Sequence, residues 1–146
     1  MKRTIITCVV ACLALLAPVV ANASKKNYAG SIEPSGEISF KLRSSKGEED
    51  VIKLAWRNLP VTCKGVKQTS DGGLSFDVPV KDNGSWKAKA VLGPAKDPEA
   101  RAVITGSFSG KRGADGTIEL SGSKLPTNDG NSGKCASGKL DWSARS

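Results

Sequence analysis

The sequence predicts an all-β protein, an antiparallel β-sandwich of about eight or nine strands closed by one disulfide. Three observations predict it. Apolar and polar residues alternate with period two through most of the chain. Gly-containing turn clusters punctuate those runs at short intervals. No stretch sustains an apolar period near 3.6. Strict alternation marks half-buried strands, because successive side chains point to opposite faces. Short strands between tight turns indicate a sandwich or barrel.

The chain opens MKRTIITCVVACLALLAPVVANASKKN. Lys2 and Arg3 form a basic start, and an uncharged, mostly apolar run follows from Ile5 to Val20. Ala21-Asn22-Ala23 supplies the small residues accepted at a signal-peptidase site. The expectation is a signal peptide over 1–23, cleaved after Ala23, leaving a single domain over 24–146 in a secreted, extracellular or periplasmic protein. An uncleaved anchor fits less well, since the apolar run is short for a membrane span of about 20 residues. Lipid attachment at Cys12 also fits less well, since apolar sequence continues beyond it. Cleavage takes the formal charge from +8 to +6.

Cys8 and Cys12 leave with the signal, so Cys63 and Cys135 remain. An even pair in an exported chain reads as a disulfide. With no histidine in the sequence, the two thiols lack the partners of a metal site. Their spacing is also far from C-x-x-C.

The strands are expected near 27–32, 36–44, 50–57, 61–66, 73–80, 85–92, 101–109, 115–121 and 138–144. In EISFKLRSS, Ile38, Phe40 and Leu42 alternate with Ser39, Lys41 and Arg43. In VIKLAWRN, Ile52, Leu54 and Trp56 alternate with Lys53 and Arg57. In GLSFDVPV, Leu74, Phe76, Val78 and Val80 form one face, with Pro79 marking an edge or an end. In SWKAKAV, Trp86, Ala88 and Ala90 alternate with Lys87 and Lys89, and in GTIELSG, Ile118 and Leu120 alternate with Thr117 and Glu119. Turns are expected at SDGG (70–73), KDNG (81–84), GKRGADG (110–116) and NDGNSGK (128–134), where Asn/Asp-Gly pairs suit tight reversals. PAKDPEARA is expected to hold at most a helical turn.

The cysteine separation of 72 residues is similar to that of an immunoglobulin domain. The other marks of that fold are absent: Trp86 comes late after Cys63, and Gly133 stands where a tyrosine corner would place Tyr. A jelly-roll or Greek-key-like topology is expected instead. The segment ITGSFSGKRGADGTIELSGS…CASGKLDWSA resembles the C-terminal half of small secreted bacterial β-sandwich proteins of uncharacterised function. Gly106, Phe108, Gly113, Gly116, Thr117, Cys135, Ser137, Gly138, Trp142 and Ala144 carry the resemblance, over roughly 40 residues. It implies an exported sandwich and carries over no catalytic residue.

The chemistry in the sequence is sparse. Without histidine, Ser-His-Asp and Cys-His sites are impossible. Ser121 and Lys124 have Ser-x-x-Lys spacing but follow a strand rather than sit on a helix. GNSGKC lacks phosphate-loop spacing. Asp82 and Asp129 lie in turns without EF-hand order, and Glu48, Glu49 and Asp50 read as a solvated turn. The expectation is a non-catalytic domain with no cofactor and no metal.

Two binding readings stand beside a purely structural or protein-interaction role in the envelope. In the first, Lys41, Arg43, Lys53, Arg57, Lys87 and Lys89 line one outward face and bind an anionic envelope polymer, with strong salt dependence. The simpler role for these side chains is to keep the sheet soluble. No aromatic lies among them to stack bases, so nucleic acid is not the expected partner. In the second, Tyr28 or a tryptophan offers a platform for sugar rings. Trp56, Trp86 and Trp142 fall on the apolar phase of their strands and are expected in the core.

Overall fold

The computed structural model describes residues 23–92, 100–130 and 133–146. Residues 1–22, where the signal peptide is expected, and most of PAKDPEARA lie outside the described residues. Among the described residues nine strands form one antiparallel sheet: β1 (Ser24–Ile32), β2 (Glu37–Ser45), β3 (Glu48–Cys63), β4 (Val66–Gly73), β5 (Val78–Pro79), β6 (Ser85–Leu92), β7 (Ala100–Ser109), β8 (Gly113–Gly122) and β9 (Cys135–Arg145). No helix occurs among the described residues.

The strand order is β4-β3-β2-β1-β9-β8-β7-β6, with β5 beside β3. Neighbours along this path are consecutive in sequence except at β1–β9. The connections are successive hairpins, a meander in each arm, rather than the crossed connections of a jelly roll. Tight turns explain this. Lys46-Gly47 and Lys64-Gly65 both have positive φ at each residue, the geometry a two-residue hairpin loop requires.

The two layers are the two arms of one folded sheet. Phe40 of β2 meets Trp86 of β6 with ring centroids 5.8 Å apart, although these strands stand near opposite ends of the order. Tyr28 stacks on Phe40 at 5.0 Å, and Trp142 lies 5.8 Å from Phe40 and 5.7 Å from Trp86. The Trp142 Nε1–H donates to the Thr105 carbonyl at 3.2 Å. Ile32, Ile38, Leu54, Leu59, Ile104, Ile118 and Leu120 complete the core. Each such side chain contributes about 1.5–3 kcal/mol by leaving water.

β3 is a single strand where the sequence suggests two. It carries an extra residue against each partner: the β2 register shifts between Ser39 and Lys41, and the β4 register between Trp56 and Leu59. Lys53 and Asn58 sit at these two bulges with φ of 52° and 51°. Bulges bend a strand and increase its twist, so β3 can pair with β2 and β5 along its first half and with β4 and β9 at its end. There the β1–β2 hairpin tip is passed and Cys63 faces Cys135 directly. The disulfide forms at this point, with a Cα–Cα distance of 4.1 Å.

The run 73–80 differs from its expectation. Gly73 closes β4 against Ala55, a separate two-residue strand pairs Val78 and Pro79 with Val51 and Asp50, and Phe76 between them is 44% exposed. The SDGG cluster is the end of β4, not a turn. A Cβ on Gly72 would overlap the Trp56 ring, so glycine there makes room for the indole. The free edge of β4 is covered by 123–130. Asn128 donates its N–H to the Thr69 carbonyl at 2.8 Å, the Ser70 hydroxyl donates to the Pro126 carbonyl at 2.8 Å, and Leu125 is fully buried. Covering an edge in this way prevents pairing with another chain.

Candidate functional site

The six cations expected on one face are divided by the strand order. Lys41 and Arg43 on β2 adjoin Lys53 and Arg57 on β3, whereas Lys87 and Lys89 lie on β6 at the far end of the sheet. Because the sheet folds with Phe40 and Trp86 facing inward, the outward lysines of β2 and β6 point away from each other on opposite arms. A six-cation array therefore does not form.

Within the β2–β3 group, Arg43 is already engaged. Its Nη2 lies 2.6 Å from Asp50 and 2.9 Å from Asp77. The hydrogen bond to Asp50, with the nearby Asp77 charge, raises the guanidinium pKa above its ordinary value. Lys41 is half-buried and in register with Ile52. Lys53 occupies the exposed bulge, and Arg57 faces Glu37 across the β2–β3 ladder.

Tyr28 does not offer a sugar platform. It is only 3% exposed, with one ring neighbour stacked and Phe108 at 5.4 Å. Trp56, Trp86 and Trp142 are each 2% exposed, in agreement with their phase. Sugar-ring stacking on any of these four is sterically closed.

A different basic cluster emerges from the topology. β9 runs between β1 and β8, so Arg145 is in register with both Ala29 and Gly113. This brings the start of β1 beside the β7–β8 turn and the end of β9. Lys26, Asn27, Lys111, Arg112 and Ser146 line an open cleft of about 760 Å³. The Ser146 N–H donates to the Arg112 carbonyl at 3.0 Å, tying the last residue to the turn. Arg112 also borders a second depression of about 410 Å³, which Arg145 lines as well. Lys26, the Lys111-Arg112 pair and Arg145 are far apart in sequence, and each alone reads as an ordinary solvated end or turn. Only the β1–β9 pairing makes them neighbours, and no local signal announces that pairing.

At the β2–β3 turn, which the β1–β2 register brings near the start of β1, Glu48, Glu49, Asp50 and Asp82 border a depression of about 650 Å³. Among the described residues no group of three or more acidic, histidine or cysteine side chains is placed to hold a metal ion. Ser121 is the penultimate residue of β8 and Lys124 follows in the strap over β4, so the Ser-x-x-Lys spacing has no helical frame. No protein-family model, curated protein or solved structure matches this chain.

Proposed function

We propose that the protein is an exported, non-catalytic binding domain for an anionic polymer of the cell envelope, and that it grips this polymer at the basic cleft of Lys26, Lys111 and Arg112. The observation that carries the reading is this convergence of three cations from β1 and the β7–β8 turn around one open cleft. Lysine supplies mobile point charges and arginine a planar fork that matches carboxylate or phosphate oxygens. A hairpin turn braced by the Ser146–Arg112 hydrogen bond holds two of the three. The export reading rests on the basic-apolar-small-residue order of the first 23 residues. A buried disulfide fits the oxidising compartment that export would reach.

The test is retention on a heparin or polyphosphate column as salt rises. Engagement of three cations gives a log–log slope of about −2 to −3 against salt concentration. Reversing two charges in K111E/R112E should abolish retention, whereas K87E/K89E should leave most of it. Retention that ignores salt, or that depends on Lys87 and Lys89 instead, would reject the site.

A further inference from the structure

The basic cleft continues into a track across the outer face of the sheet. Arg112 borders both the cleft and the second depression, and Arg145 also lines the latter. Arg145 is in register with Ala29. Ala29 in turn lines a third depression of about 820 Å³, which Ser31, Ser39, Glu37 and Arg57 also border. The first two hollows share Arg112, and the Arg145–Ala29 pairing at the β1–β9 seam links the second to the third. From Arg145 to Arg57 the track crosses three strand spacings, about 15 Å.

The charges along it are mixed. Asp115 borders the second depression and Glu37 the third. A ligand with acceptor groups alone would be repelled at both carboxylates. A ligand that carries hydroxyls as well can donate to them while its acid groups meet the arginines. Resting on the polymer-binding reading above, we propose that the occupant is an acidic polysaccharide, laid from the Lys26–Arg112 cleft over Arg145 to Arg57. Small side chains at Ala29, Ser31 and Ser39 leave the floor open to sugar rings without an aromatic platform.

The test compares a fluorescently labelled alginate octasaccharide with a polyphosphate of eight units and with tripolyphosphate, by anisotropy at moderate salt. The octasaccharide should bind at least fivefold more tightly than the eight-unit polyphosphate. Arg57→Gln should weaken the octasaccharide at least threefold and leave tripolyphosphate, which spans only the cleft, unchanged. An unaltered thermal melt of R57Q establishes that the variant is folded. Polyphosphate binding as tight as the octasaccharide, or an R57Q variant that binds the octasaccharide like the parent, overturns the track and leaves the cleft standing. Failure of all three probes to bind overturns the polymer-binding reading itself and the track with it.

Discussion

Cys63 and Cys135 are direct cross-strand partners, with Cα atoms 4.1 Å apart, at the place where β3 and β9 meet beyond the tip of the β1–β2 hairpin. The bond closes a separation of 72 residues and staples the end of one arm of the sheet to the start of the last strand. A loop of that length restricts the unfolded chain by about 4 kcal/mol. The paired Cys63→Ser/Cys135→Ser variant should therefore melt roughly 15 °C lower, as read by circular dichroism. Thiol titration of the denatured, unreduced parent should find neither cysteine free.

Trp56 depends on Gly72 as Trp86 depends on Gly106: in both places a Cβ would overlap the indole carbons. Gly72→Ala and Gly106→Ala should each lower stability by about 1–3 kcal/mol in urea unfolding, the usual cost of overpacking. Neither glycine serves a turn, so loop flexibility should not change. Wild-type stability for either variant would contradict the packing.

Asp71 accepts hydrogen bonds from the Asn58 N–H at 2.6 Å and from the Asn128 amide at 3.1 Å. The Asn58 bond, with help from Asn128, holds its pKa below the usual 3.8. A depressed folded pKa means that the charged form stabilises the protein above pH 3.8 and that this contribution is lost as pH falls through the folded value. Asp71→Asn should melt slightly below wild type at pH 6, and the gap should close on acidification below pH 3.8. The group is exposed, so the difference stays within about 1 kcal/mol. A gap that is constant from pH 6 to pH 2.5 would deny the charge a role.

The burial of Trp56, Trp86 and Trp142 predicts blue-shifted fluorescence and weak quenching by acrylamide. Emission should also be indifferent to added neutral glycans such as dextran. Strong quenching would place an indole at the surface and reopen ring stacking.

Alternation identified β2, β6 and the core face of β8 because each is half-buried along its whole length. On β3 it placed Ile52, Leu54 and Trp56 inside but failed to join the two halves, because the extra residues at Lys53 and Asn58 reverse the phase twice. It also failed on 74–80, where an apolar alternation leaves Phe76 outside. The Lys46-Gly47 and Lys64-Gly65 turns escaped notice because lysine is not the expected partner of glycine in such loops, while SDGG looked like a turn and is a strand end shaped by an indole. The disulfide was legible from cysteine count and the tryptophans from phase. The basic cleft was not, since Lys26 meets Lys111 and Arg112 only through the pairing of the first strand with the last.

The most direct measurement is an amide-resolved NMR titration of the ¹⁵N-labelled, disulfide-bonded protein with heparin oligosaccharide at low salt. Shifts concentrated at Lys26, Asn27, Lys111, Arg112 and Arg145, and reversed by added salt, are the predicted result. Shifts centred on Lys87 and Lys89, or none at a saturating dose, would contradict the assignment of the basic end as the binding site.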